Sequence, residues 1–247
     1  MPPTHLNRRA IARRAGSATA VVLALAAAVW FLSGCAARPP AQARGEGSAG
    51  ASAAAAVGTP FRLDATASRI RLYLHAEGPL AKMGHSHLIS TGALSGTVWL
   101  PPEPGHASCE FQLQADGFVV DDPQERAAAG GEFAEPLDEG ARAGTREHML
   151  GERQLDAQHY PSVLLHCRQV SVTGDSATVA LAVTLRGKES LLQVPMKWRR
   201  NGNVLQAEGE LTFRQSDIGL QPYSLMFGAL RVADEIHATF TLLARQQ

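Results

Sequence analysis

Apolar and polar residues alternate along most of the chain after residue 60. Ile70, Leu72 and Leu74, for example, are separated by an arginine and a tyrosine, which is the period of two that a half-buried β-strand requires. Turn sequences rich in Gly, Asn and Asp separate the alternating segments and favour antiparallel hairpins. Besides the segment around Leu72, seven segments fit a strand: residues 92–100, 108–115, 162–172, 177–186, 191–199, 204–214 and 232–243. About eight antiparallel strands predict an all-β fold that closes into a barrel, because closure removes exposed strand edges.

Residues 121–158 interrupt the alternation. This stretch is rich in Ala, Glu and Arg, and Thr145 is expected to cap a short helix that reaches about Gln154. A mobile loop is expected before that helix. The alternation then resumes, so the folded part is predicted to be one domain, residues 60–247, a length that suits a single sizeable core.

The first 34 residues have the pattern of a bacterial lipoprotein signal peptide. Four arginines lie within residues 8–14, an uncharged apolar run extends over residues 18–32, and Leu-Ser-Gly precedes Cys35. The run of about 15 residues is shorter than the ~20 that a spanning helix needs, so a permanent transmembrane helix is the weaker interpretation. Leu-Ser-Gly-Cys resembles the lipobox, in which the cysteine thiol accepts a diacylglycerol. The alternatives are an unmodified Cys35 beside an ordinary cleavage site, and export by the twin-arginine route.

The segment between the signal and the domain is a predicted flexible tether. Residues 35–59 are rich in Ala, Gly, Ser and Pro, so they cannot bury enough surface to offset chain entropy. Removing four signal arginines from the 23 basic residues leaves 19 against 23 acidic residues, a net charge of −4, which does not favour nucleic acid as a partner. We therefore expect a protein of the bacterial cell envelope, held to a membrane by a lipid on Cys35 and facing the periplasm or the exterior. Which membrane, and whether the chain forms a homodimer, the sequence leaves open.

Two further cysteines lie in the domain. Cys109 and Cys167 are an even pair once Cys35 is acylated, in a compartment where disulfides persist. Each lies on the apolar face of its alternating segment, so both sulfurs are expected to point inward. A disulfide across adjacent strands and two buried thiols both fit this placement.

The most distinctive local feature is a His-x-His pair. His85 and His87 are one residue apart, and alternate residues of a strand point the same way, so two such imidazoles can share a metal ion. A third ligand is then required, for which His148 on the predicted helix is the first candidate and His75 the second. The alternative is a turn after Gly84 in which the paired histidines bond nearby backbone, while His148 braces the helix.

Several segments of the domain resemble the YceI family. The family's usual elements are a His-Leu helix, a Phe-Asp pair, a Tyr-Pro that opens a strand, a Leu-Thr-Ile-Arg-Gly strand end and a Ser-Asp-Phe-Gly-Ile motif. The matching segments here are residues 146–150, 155–156 (Leu-Asp), 160–161, 183–187, 216–220 and 232–236. The resemblance extends from Phe61 to about Leu243. It departs from the family after Gly187, where Thr-Lys-Pro is absent, at the arginine before His148, which is one place out of register, and at the Gly-His-Ser-His of residues 84–87.

The resemblance implies an eight-stranded antiparallel, lipocalin-like barrel with a short helix near its mouth, enclosing a long apolar cavity for a polyisoprenoid or a similar amphiphile. The inward strand positions would line this cavity, and we nominate as ligand-pocket residues Leu72, Leu74, Phe111, Leu113, Val163, Leu165, Leu181, Val183, Leu211 and Phe213. A barrel of this size either encloses one ligand or is filled by its own side chains, so a solid core stays open as the alternative.

No enzyme motif accompanies this pattern. The sequence has no Gly-x-Ser-x-Gly, phosphate-binding loop or dinucleotide fingerprint, so we expect no catalytic activity, and no cofactor is certain. The expected function is that of a membrane-tethered envelope protein that binds or carries an isoprenoid-type or other amphiphilic lipid in its barrel. The alternatives are a metal- or haem-binding, redox-associated protein that uses the His-x-His site, and a structural or stress-response lipoprotein with a filled core.

Overall fold

The structure is a computed structural model that describes residues 57–91 and 93–247. The predicted signal peptide (1–34), the acylation site Cys35 and most of the predicted tether lie outside the described residues. Within residues 57–91 and 93–247, no helix is both long enough and apolar enough to cross a membrane.

In the described part of the chain, twelve strands form one sheet. All their pairings are antiparallel. The strands are β1 (Thr59–Leu63), β2 (Arg69–Glu77), β3 (His87–Thr91), β4 (Leu94–Leu100), β5 (Ser108–Gln114), β6 (Phe118–Val120), β7 (Ser162–Thr173), β8 (Ser176–Leu185), β9 (Lys188–Asn201), β10 (Val204–Arg214), β11 (Ser224–Leu225) and β12 (Leu230–Gln246).

The first six strands combine into three interrupted ones. Strands β1 and β2 both pair with β12. On their other side, β1 pairs with β4 and β2 pairs with β3. In turn, β4 pairs with β5 and β3 pairs with β6. The pairs β1–β2, β3–β4 and β5–β6 therefore act as three barrel strands. The barrel continues through β7, β8, β9, β10 and β12, and the pairing of β12 with β1 and β2 closes it. The predicted eight-stranded antiparallel barrel is confirmed.

Two-residue turns join the long strands from β7 to β10. The turns are Gly174-Asp175, Arg186-Gly187 and Gly202-Asn203. In the middle turn φ is 51° at Arg186 and 73° at Gly187, the two positive values of a type I′ hairpin, whose twist matches that of the flanking strands. The Arg-Gly that ends the segment 183–187 is therefore a turn signal.

Two α-helices lie between β6 and β7 in the described residues: α1 (Pro123–Ala129) and α2 (Glu139–Leu150). The Asp122 carboxylate caps α1 by accepting two backbone N–H bonds at 3.0 Å. The Asp138 carboxylate caps α2 by accepting from the N–H of Ala141 at 2.8 Å. Each aspartate thereby satisfies N–H groups that have no partner inside the helix.

The predicted bounds of the helix were wrong. Thr145, expected as its cap, lies inside α2, where its hydroxyl donates to the Ala141 carbonyl oxygen at 3.0 Å. Asp138 caps the helix instead, about two turns before Thr145. The helix ends at Leu150, before Gln154. The mobile loop expected before it contains α1 and a 3-10 turn instead.

The two ends of the barrel are built differently. The helical end carries α1, α2 and the connection between β10 and β12 (residues 215–229). The hairpin end carries the β7–β8 and β9–β10 turns, and there Phe61 of β1 pairs with Gln246 of β12. Both ends of the domain's chain therefore lie at the hairpin end.

Helix α2 takes the place of a strand beside β6. Strand β6 pairs with β3 on one side and, within the described residues, has no strand partner on the other. On that side Arg146 of α2 donates to the carbonyl oxygens of Asp116 and Phe118. The helix is thus attached to the barrel rim by a side chain that satisfies backbone acceptors.

Candidate ligand-binding cavity

The barrel is hollow from its middle to its helical end. The cavity there has a volume of about 350 Å³, within the ~300–1,000 Å³ typical of small-molecule sites. The sequence left open whether the interior is filled or hollow, and in the structure it is hollow. All ten residues nominated from the sequence line this cavity; that a ligand contacts them stays a prediction.

Strand alternation makes the cavity wall apolar. On β7, Val163 and Leu165 are buried and line the cavity, whereas Leu164 between them is exposed. Leu165 lies opposite Phe111 of β5 and Val183 of β8, and directly opposed side chains share one face of a sheet. Among the described residues that line the cavity there is no Lys, Arg, Asp or Glu. The wall therefore suits an uncharged, apolar occupant.

A second, smaller cavity of about 110 Å³ continues toward the hairpin end. Phe111 and Cys167 belong to the walls of both cavities, and Cys109 to the wall of the second. The structure joins Cys109 and Cys167 in a disulfide between β5 and β7, with the two Cα atoms 4.9 Å apart. The disulfide thus lies where the two cavities meet, and the barrel has the bonded form of this pair rather than two buried thiols.

Two segments cover the mouth of the larger cavity: α2 with the residues that follow it, and the connection at residues 218–223. The imidazole of His148 stacks on the ring of Tyr223 with centroids 4.8 Å apart, and its Nε2 lies 3.3 Å from the Tyr223 hydroxyl. The Gln154 amide donates to the Gln221 carbonyl oxygen at 2.9 Å. Side-chain contacts hold this cover in place.

A buried ionic cluster lies at the cavity wall beneath the helices. The Asp121 carboxylate, 0% exposed, accepts hydrogen bonds from Arg126 Nη1 (2.7 Å), the Leu88 N–H (2.8 Å) and His87 Nδ1 (2.7 Å). Burial alone would raise the pKa of Asp121, but the bonds from His87, Leu88 and Arg126 together hold it below its ordinary value. Asp121 is therefore an anion at neutral pH, and His87, which lines the cavity, is fixed by it.

The local sequence explains how Asp121 comes to be buried. Asp121 follows β6 with φ 53°, a left-handed conformation that aspartate tolerates better than most residues. The turn that results points Asp121 at the β3 backbone, while Asp122 caps α1 and Pro123 occupies its first turn. Asp121, Asp122 and Pro123 are therefore consecutive residues, each with a separate role in the backbone structure.

Arg126 connects the cluster to its surroundings. Its guanidinium is 3% exposed and also donates to the carbonyl oxygens of Ser86 (2.7 Å) and Glu135 (3.0 Å). The Ser86 hydroxyl donates to Glu132, whose other oxygen lies 2.7 Å from Nδ1 of His75. The bond from Ser86, the largest effect, and the contact with His75 together lower the pKa of Glu132 against the opposing effect of burial. One hydrogen-bonded network thus ties α1 and the turn after it to β2 and β3.

Comparison with known proteins identifies the family to which this barrel belongs. The sequence model of the YceI-like domain matches residues 61–244. The chain belongs to the YceI-like family. No curated protein sequence matches it significantly.

Solved structures share the YceI-like fold. BcnA of Burkholderia cenocepacia superposes with a TM-score of 0.54 at 17% identity, over 74% of this chain and 99% of that one. A polyisoprenoid-binding domain from Saccharophagus degradans, implicated in plant cell wall breakdown, superposes with a TM-score of 0.50 at 12% identity, over 76% of this chain and 98% of that one. At these identities the likeness concerns the fold.

The YceI-like barrel separates the three histidines nominated for a metal. His85 precedes β3 and is exposed, so the same-face argument for alternate strand residues does not apply to it. His87 opens β3 and bonds Asp121, while His148 contacts Tyr223, and His75 bonds Glu132. Among residues 57–91 and 93–247, no three His, Cys, Asp or Glu side chains are grouped as metal ligands.

Sequence reasoning missed Asp121 and Arg126. The pair of aspartates before Pro123 was a usable signal, since one aspartate suffices to cap a helix. No local pattern predicts that Arg126 is buried, because its partner Ser86 lies 40 residues away in the sequence.

Proposed function

We propose that this YceI-like protein is a lipid-anchored envelope protein that binds or carries an isoprenoid-type or other amphiphilic lipid in its barrel cavity. The apolar cavity of about 350 Å³ at the helical end carries the proposal. The S. degradans structure, described as a polyisoprenoid-binding domain, supports the same ligand class. The proposed role is binding, without catalysis.

The energetics favour a long hydrocarbon. Burial of a methylene-sized group contributes ~0.8 kcal/mol, so each five-carbon isoprene unit contributes roughly 4 kcal/mol before the costs of association and ordering. A wall without charged side chains contributes this term along its whole length. The tail would thus supply most of the affinity, and wall shape would set which chains fit.

The lipid content of the native protein tests the cavity. The full-length protein is purified from its own bacterial envelope and its organic extract is analysed by mass spectrometry. We expect an isoprenoid-type or other long-chain lipid in about stoichiometric amount. An extract without lipid, from protein that also takes up none when it is added, would overturn the proposal.

A matched pair of variants shows whether the lipid occupies the cavity. Leu165→Trp fills the cavity from its wall, whereas Leu164→Trp adds the same side chain at the exposed neighbouring position. We expect lipid to be lost from the first variant and retained by the second. Equal retention by both would place the lipid elsewhere.

The anchor is tested separately. Cells expressing the full chain are labelled with an alkyne fatty acid, and wild type is compared with Cys35→Ser. We expect label on the wild type alone, together with its presence in the membrane fraction. A wild-type chain without label would overturn the anchor and leave the cavity proposal standing.

A further inference from the structure

Strand β3 brings one strongly polar side chain to the apolar wall. His87, Ile89 and Thr91 alternate along β3 and all line the larger cavity. The His87 ring is held by the 2.7 Å bond between its Nδ1 and Asp121. Within the described residues no hydrogen bond engages its other nitrogen, Nε2.

We propose that Nε2 of His87 accepts a hydrogen bond from a hydroxyl on the bound lipid, so that the cavity selects an isoprenoid-type alcohol, phenol or hydroquinone. This inference rests on the proposed function and names the head group that the same cavity takes.

The Asp121 bond sets the tautomer of His87. An ionised carboxylate only accepts hydrogen bonds, so His87 Nδ1 carries the proton that it donates. The neighbouring Arg126, bonded to Asp121 at 2.7 Å, already balances the carboxylate charge. In the ring form whose single proton is on Nδ1, Nε2 has a lone pair. Such an atom matches a hydroxyl donor.

The same cluster argues against an anionic head group. No Lys or Arg is among the described residues of the cavity wall. Arg126 is 3% exposed, and its donors are directed at Asp121, Ser86 and Glu135. A phosphate beside His87 would meet no Lys or Arg of the described cavity wall and would lie near the Asp121 carboxylate. A neutral hydroxyl needs no cation and is not repelled by the Asp121 carboxylate.

Three other polar side chains of the wall are already engaged, whereas the buried Thr91 hydroxyl has no partner within the described residues. The amides of Gln154 and Gln215 donate to the backbone carbonyls of Gln221 and Ala233 at 2.9 and 2.7 Å. The Tyr223 hydroxyl lies against His148. His87 therefore combines a ring held by Asp121 with an acceptor nitrogen that no hydrogen bond within the described residues engages.

The test compares three probes on the full-length protein by isothermal titration: farnesol, farnesyl methyl ether and farnesyl diphosphate. The ether keeps the tail and oxygen but removes the donor. Since one hydrogen bond is worth up to about a tenfold change in affinity, we expect farnesol to bind roughly 3–10-fold more tightly than the ether, and more tightly than the diphosphate. Equal affinity for alcohol and ether, or tightest binding of the diphosphate, would overturn the inference and leave lipid binding intact. Binding of none of them would contradict both.

A conservative variant assigns the preference to His87. In His87→Asn the amide N–H can replace Nδ1 against Asp121, but nothing replaces Nε2. We expect the ratio of the affinity for farnesol to that for the ether to fall to about one, while the affinity for the ether is unchanged. His159→Asn is the matched control, because His159 bonds Asp156 through Nδ1 at 2.8 Å but lies outside the cavity wall. A preference that survives His87→Asn would overturn the assignment.

An NMR measurement needs no variant. In the ¹⁵N spectrum of the histidine rings, farnesol is expected to shift His87 Nε2 away from the value of a free lone pair, and the ether is expected not to. The same shift with both probes, or with neither, would overturn the inference.

Discussion

The helical and hairpin ends of the barrel are closed by different kinds of contact. At the hairpin end, backbone pairing between β1 and β12 closes the barrel, and the Cys109–Cys167 disulfide lies toward that end. At the helical end, side chains close it: the His148–Tyr223 stack covers the mouth, and Asp121 with Arg126 holds α1 to the rim. Side-chain contacts can open without breaking the sheet, so we expect the proposed ligand to pass at the helical end while the hairpin end stays closed.

Removing Asp121 should have the largest effect on stability. Asp121→Ala leaves Arg126 buried without its counter-ion, which is expected to cost about 3–5 kcal/mol of unfolding free energy. Asp175→Ala is the control, because it breaks an exposed pair with Lys197 at the hairpin end; exposed pairs contribute little. Urea unfolding of both variants checks the difference. Similar midpoints would show that the buried cluster does not hold the helical end.

Acid should weaken the same cluster. The pKa of Asp121 is lower in the folded protein than the ordinary value of 3.8, so its stabilising effect is complete above the ordinary value and is lost as pH falls through the folded pKa. We expect the stability difference between wild type and Asp121→Ala to shrink below about pH 4. Urea titrations between pH 7 and pH 2 measure it. A difference that does not depend on pH would mean that Asp121 acts without its charge.

Removing the disulfide should affect global stability and leave the mouth alone. The bond joins residues 58 apart in sequence, and the paired change of Cys109 and Cys167 to alanine is expected to cost about 2–4 kcal/mol, chiefly by freeing the unfolded chain. The rate at which bound farnesol exchanges should not change. Urea unfolding and stopped-flow exchange measure the two quantities. Faster exchange in this variant would show that the hairpin side also gates the cavity.

Loosening the cover of the mouth should speed ligand exchange and leave global stability nearly unchanged. His148→Ala removes the stack on Tyr223, a contact of about 0.5–1.5 kcal/mol, so farnesol exchange is expected to quicken roughly 2–10-fold with little loss of stability. Stopped-flow exchange provides the measurement, and His159→Ala, at a residue outside the cavity wall, is the control. An unchanged rate would mean that ligands enter by another route.

The smallest expected effect concerns Thr91. Its hydroxyl is buried and has no hydrogen-bond partner within the described residues, and such a group costs about 1 kcal/mol or more. Thr91→Val keeps the shape and removes the hydroxyl, so stability is expected to rise by up to about 1 kcal/mol. Urea unfolding tests this. A loss of stability would show that the hydroxyl has a partner, such as water or a ligand.

The sequence predicted strands better than helices. The predicted strand at 204–214 has the same bounds as β10, and the other predicted strands end within a few residues of the observed ones. The alternation of apolar and polar residues is a local property of the sequence, so it can be recognised without knowing which strands pair. The helix α2 was placed too late, since Thr145 and Asp138 are both acceptable caps and only the packing of α2 on the rim distinguishes them.

The sequence by itself determined which strand positions face inward. Val163, Leu165 and Val183 line the cavity because alternation fixes their side of the sheet before any partner is known. The tertiary structure alone decided that the interior is hollow and that His87, Asp121 and Arg126 meet. His87 and Asp121 are 34 residues apart in sequence. Contacts at that range depend on how strands register and helices pack, and no periodicity in the sequence encodes them.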